Sequence, residues 1–210
     1  GRGTWEKTHR GIEELRSAGV LFAVLVAVNS HNYRECGEIV EHASQIGANR
    51  VCFLPTMKCG RASENLSLLP SPEQYLEGIR KAVEKAEELG FPTEAWCSPF
   101  LVRFVRSPYL WVWNCDEYAL DVDPAGHLLL CDVLSERISS VKKGVREAWE
   151  EFLSHPLFRR VRERKADWDP CRDCKYREFC RGGCVARAIH IYGKIDAPDP
   201  MCPMTRSPSG

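Results

Sequence analysis

The cysteines near the C-terminus constrain this chain most. They read Cys171-x2-Cys174-x5-Cys180-x3-Cys184-x17-Cys202, five thiols within thirty-two residues. A short segment rich in cysteine, glycine and proline has little apolar material for a core of its own. Bound metal supplies the missing cohesion, because binding in such segments is coupled to folding. Thiolates ligate tetrahedral zinc and iron–sulfur clusters. An x2 spacing lets two sulfurs of one tight turn face one centre, and Arg181-Gly182-Gly183 lets the backbone crowd close to an inorganic core. Upstream, Cys115-x10-Gly126-x4-Cys131 adds two more thiols. Zinc on four cysteines accounts for one block but not for seven cysteines in two.

The full count is eleven cysteines. An odd number without a secretory signal argues against a disulfide framework and for metal in a reducing, cytoplasmic compartment. Cys36, Cys52 and Cys59 read as small buried apolar residues, and so does Cys97, although it lies on the path towards Cys115. The six histidines form no ligand pattern. The formal net charge of zero gives no field that draws the chain to nucleic acid or a membrane surface. The apolar run at 20–28 is too short to span a bilayer. The basic run at 159–165 reads as a solvated helix face, and Trp111 and Trp113 as packing residues. The chain opens on Gly1 rather than Met, which suggests a fragment.

Helix and strand alternate over the first part. A helix at 4–18 precedes a strand at 20–28, whose continuous apolar character predicts cover on both faces. A helix at 33–46, a strand at 50–55 and a helix at 71–89 follow. Ser71 is the N-cap of that last helix, Pro72 its first residue and Gly90 its stop. A third strand is expected at 93–100. Short links between such elements predict parallel α/β winding. Beyond residue 100 the pattern changes. Asp123-Pro124-Ala125-Gly126 between two apolar runs predicts a β-hairpin, and 141–153 an amphipathic helix.

The cysteine spacing resembles the signature of the SPASM domain, the auxiliary-cluster module of certain radical S-adenosylmethionine (SAM) enzymes. Seven cysteines from Cys115 to Cys202 stand in its register. The α/β stretch resembles the later part of the barrel of those enzymes, with Gly60-Arg61-Ala62 among the recurring features. The resemblance implies an α/β fold: the second half of a partial (β/α) barrel over 1–100, then a small cysteine-rich SPASM domain with a β-hairpin over 101–210. It implies two [4Fe-4S] clusters. The distal one takes Cys171, Cys174, Cys180 and Cys202; the proximal one takes Cys115, Cys131 and Cys184. The proximal set is one ligand short. A side chain such as Asp116, Glu117, Tyr118 or Asp121, a more distant cysteine such as Cys97, or a substrate atom fills it.

The radical SAM triplet Cys-x3-Cys-x2-Cys is absent from this sequence. SAM and a third [4Fe-4S] cluster are therefore expected only in a full-length parent, where Asn29, at a strand end, would contact SAM. The implied substrate is a peptide or protein, with a haem precursor or similar tetrapyrrole as the alternative, and the implied electron donor a ferredoxin or flavodoxin. A non-catalytic electron-transfer or scaffold module is the reading from another class. No nucleic acid and no membrane partner is expected.

Overall fold

The computed structural model describes residues 3–114 and 120–205. Helix α1 (Thr4–Ser17) buries none of its residues. Strand β1 (Ala23–Val28) begins later than its apolar run, leaving Val20 and Leu21 at the surface. A 3₁₀ turn at Tyr33–Glu35 leads into α2 (Cys36–Gln45), which buries Cys36, Val40 and Ala43 at helical spacing. Strand β2 (Arg50–Pro55) coincides with its expected span. Helix α3 (Pro72–Leu89) opens on a reciprocal cap: the Gln74 amide donates to Ser71 Oγ at 3.2 Å, and the Ser71 amide donates to Gln74 Oε1 at 2.9 Å. Gly90, at φ 62, closes it.

Strand β3 (Thr93–Ala95) is shorter than expected. The chain leaves the sheet through Cys97, at φ 55, into a 3₁₀ turn at Pro99–Arg103. Strand β4 (Leu110–Val112) comes from beyond residue 100, so the boundary expected there falls between two strands of one sheet. The four strands are parallel and in sequence order, β1-β2-β3-β4. One face packs on α2 and α3, and its core includes Val26, Phe53, Ala95, Tyr75, Ile79 and Leu101.

The other face is open, which corrects the expectation of cover on both sides. Across it, Leu25, Cys52, Glu94 and Trp111 stand in one register row. Leu25 is 58 % exposed on the edge strand, and Trp111, expected to pack, is 65 % exposed. Between them the Glu94 carboxylate takes Arg50 at 2.9 Å, the Trp96 indole N–H at 2.7 Å and the Cys52 thiol at 3.4 Å.

The rest of the chain has small separate cores. Strand β5 (His127–Leu129) pairs antiparallel with β6 (Arg137–Ser140), while the segment before the Asp123–Gly126 turn reaches β5 through one bridge, Val122 to Leu128. Leu128 packs on Ala148 and Phe152 of α4 (Val145–Ser154). Helix α5 (Pro156–Arg162) ends before Arg164, which is buried rather than solvated: it donates to the Gly183 carbonyl at 3.0 Å and the Ala197 carbonyl at 2.8 Å. Helices α6 (Arg177–Cys180) and α7 (Val185–Tyr192) carry the last cysteine-rich stretch, and Met201 beyond them enters the core beneath the sheet. No helix among the described residues is long and apolar enough to cross a membrane.

Candidate metal centre

Four of the expected ligands meet. Cys171, Cys174, Cys180 and Cys202 line a single cavity of about 260 Å³, walled in part by Phe100 and Met204. Local turns aim them. The Cys174 amide donates to the Cys171 carbonyl at 3.0 Å, α6 presents Cys180 from its last residue, and the Cys202 amide donates to the Asp199 carbonyl at 3.0 Å. Burial, then the neighbouring Cys202 and Cys174, push the Cys171 thiol up to about 11. Burial, then Asp199, Cys202 and Cys171, push Cys180 up to about 12. The sulfurs thus act on one another, and thiols so placed keep their protons until a cation displaces them. Arg103 reaches this group, Nη1 standing 3.7 Å from Cys174 Sγ.

The donor set can be tested against what it would hold. Among the described residues no three His, Cys, Asp or Glu side chains converge as the ligands of one ion do. The thiols instead surround a volume several times the roughly 30 Å³ share of one water molecule. Four thiols along such a space are a donor set that fits an iron–sulfur cluster.

A second thiol group lies around Cys184, the residue before α7. A small core of Met57, Leu134, Cys184 and Ala186 has Cys59, Cys97 and Cys131 packed against it. The Cys97 thiol is hydrogen-bonded to that of Cys184. That bond, then burial, then the nearby Cys184 and Cys131 raise it, against the pull of Arg187. Burial, with Cys184 and Asp132 beside it, pushes Cys131 up to about 12 although the Val133 amide opposes this. Cys115, expected in this group, lies outside the described residues, as do Asp116, Glu117 and Tyr118. Asp121 accepts from the Asp132 amide at 3.1 Å.

One buried ion pair joins the two groups. Asp199, 1 % exposed, accepts from Arg187 Nε at 2.8 Å and Nη2 at 2.6 Å, from the Cys184 amide at 2.8 Å and from the Met201 amide at 2.9 Å. Arg187 also donates to the Cys97 carbonyl. Its remaining nitrogen, Nη1, is buried with no acceptor among the described residues. The two glycines expected to admit an inorganic core serve this frame too. A Cβ on Gly183 would stand 2.3 Å from Asp199 Cβ, and one on Gly182 would stand 2.8 Å from the Trp168 ring; both residues have positive φ.

Asn29 follows β1. Its Oδ1 accepts from the amides of His31 at 2.9 Å and Asn32 at 3.2 Å, which holds the turn after the strand.

No protein-family model matches the chain. It is similar to Fe-coproporphyrin III synthase of Methanosarcina barkeri, 25 % identical over 100 % of this chain and 59 % of the relative. It is similar to PqqA peptide cyclase of Gluconobacter oxydans, 28 % identical over 91 % of this chain and 53 % of the relative. Among solved structures it shares its fold with anSMEcpe with bound AdoMet and Cp18Cys peptide, at TM-score 0.66 and 14 % identity, covering 95 % of this chain and 57 % of that one. The chain is a relative of the radical SAM enzymes of the SPASM type. It spans little more than half the length of the curated relatives it matches.

In this radical SAM/SPASM relative, sequence reasoning missed the Arg187–Asp199 pair. The signal was present: an arginine amid Val185, Ala186, Ala188 and Ile189 is a charge on an apolar helix turn, and a buried charge requires a partner. Which acid it meets depends on how the loops close, and spacing does not give that.

Proposed function

We propose that this chain is the auxiliary-cluster part of a radical SAM/SPASM enzyme that modifies a peptide or protein. Cys171, Cys174, Cys180 and Cys202 hold a distal [4Fe-4S] cluster, and Cys115, Cys131 and Cys184 contribute to a proximal one. The observation that carries the reading is the presence, among the described residues, of two separate thiol groups, four thiols about one cavity and Cys59, Cys97 and Cys131 about Cys184. Bound clusters of this kind supply one-electron transfer to or from a substrate held nearby. The protein's own part is structural and electrostatic. Its thiols would release their protons to solvent as they take up metal, Arg103 offers an N–H to Cys174, and Phe100 and Met204 lie along the cavity. The four sheet strands run in the order of a barrel wall, and the open face carrying Leu25, Glu94 and Trp111 is where a barrel keeps its interior. Asn29, at the end of β1, would face SAM in the complete enzyme.

A peptide substrate is favoured by the cyclase relatives and by the peptide in the anSMEcpe structure. The Fe-coproporphyrin III synthase relative keeps an iron tetrapyrrole as the second reading.

The test is metal analysis after anaerobic reconstitution. About eight iron atoms and as many sulfides per chain are expected from two cubanes; stoichiometric zinc without charge-transfer absorption would overturn the reading. Two variants test the ligand partition. Cys180→Ala should damage the distal cluster and spare the proximal, and Cys184→Ala the reverse, as read by iron content with Mössbauer and EPR spectra. The opposite pattern would require the partition to be redrawn.

A further inference from the structure

We infer that Cys97 supplies the thiolate missing from the proximal group and binds the same cluster as Cys131 and Cys184. The inference rests on the two-cluster reading above and adds a ligand that the cysteine signature does not contain.

Three observations carry it. The first is contact. Cys97 follows the end of β3 and packs, with Cys131, against the small core that holds Cys184. The second is the backbone. Cys97 adopts φ 55, a left-handed conformation uncommon for residues other than glycine. Such a conformation persists where the surroundings over-determine it, and functional sites are where it gathers. Cys36 and Cys52, which are buried among packing residues, have no such backbone.

The third is the frame. One guanidinium, Arg187, donates to the Cys97 carbonyl and to Asp199, whose Oδ2 accepts from the Cys184 amide at 2.8 Å. The main chains of Cys97 and Cys184 are therefore tied to a single buried ion pair. Among the described residues, that guanidinium keeps one nitrogen without an acceptor. A thiol retained for packing needs none of this, whereas thiolate sulfurs on iron would give the remaining N–H of that guanidinium an acceptor. Cys59, on the same small core, responds to burial and Asp132 rather than to another thiol.

The experiment uses the full chain reconstituted anaerobically with ⁵⁷Fe. In the wild type, every iron of both clusters should show sulfur-only ligation by Mössbauer spectroscopy. Cys97→Ala should convert one proximal iron to a nitrogen- or oxygen-ligated subsite. Mild oxidation should then remove that iron, lowering the content from about eight to about seven per chain and giving a three-iron EPR signal. The distal cluster should be unchanged. Cys97→Ser, which keeps the side-chain volume, should give the same distinct subsite and guards against a variant that does not fold. Cys59→Ala should leave both clusters as in the wild type. A wild type that already has one oxygen- or nitrogen-ligated proximal iron, unaltered by Cys97→Ala, overturns the inference while leaving two clusters in place. Loss of an iron in Cys59→Ala instead assigns the ligand to Cys59. A wild type without iron removes the two-cluster reading, and this inference with it.

Discussion

The sheet with its helices and the cysteine-rich region are stabilised in different ways. Beneath the sheet, one continuous buried cluster runs from Val26 through Phe53 and Ile79 to Leu101. Beyond it, the buried clusters are Met57, Leu134, Cys184 and Ala186 in one place and Leu128, Ala148 and Phe152 in another. The first region removes one continuous apolar surface from water. The second has instead gathered thiols, two conformationally demanding glycines and one buried ion pair. On the proposed reading, bound clusters would supply the cohesion there.

The strongest way to break this contrast is to strip the metal. Chelation under anaerobic, reducing conditions should make the stretch from residue 169 onward protease-sensitive while 23–95 stays resistant, read by limited proteolysis with mass spectrometry. Equal cleavage of both regions would erase the distinction. Next in size is Asp199→Ala, which leaves the Arg187 guanidinium buried without its counter-ion. A loss on the order of 3–5 kcal/mol is expected by chemical denaturation of the reconstituted chain, with the cysteine-rich region unfolding first. A smaller effect sharpens the other side. Ser71→Ala removes the oxygen that accepts from the Gln74 amide, and α3 should lose about 1 kcal/mol with no change in iron content.

The smallest effect is local and follows pH. Asp123 is held down to about 2, first by the His127 amide, then by the His127 ring and the Ala125 amide, with Arg137 Nε 3.0 Å away. Because the folded value lies below the ordinary 3.8, the contribution is complete above about pH 4 and fades as pH falls towards 2. Hydrogen exchange at Ala125 and His127 should quicken over that window, and Asp123→Asn should remove the dependence.

Features fixed by neighbours in the sequence were legible beforehand. The α3 cap is written in Ser71, Pro72 and Gln74 and its stop in Gly90, and the span of β2 needed only its flanking residues. Cys171, Cys174, Cys180 and Cys202 were grouped beforehand through the family resemblance, and the structure places all four along one cavity. What escaped depends on long-range closure. β1 has the composition of a covered strand, but cover is supplied by neighbours, and its outer side has none. Arg187 and Cys97 are ninety residues apart, and a strand that stops at Ala95 instead of continuing to residue 100 is what brings them together.

The uncovered edge of the sheet carries a consequence for handling the protein. β1 reads Ala23-Val24-Leu25-Val26-Ala27-Val28, with no charge, proline or glycine to blunt it, and among the described residues no strand pairs with its outer side. Such an edge recruits further strands, and a six-residue apolar window of high β-propensity is the sort that stacks. A strand flanking those six residues would act on them as a chaperone does, by occupying the edge before another molecule can.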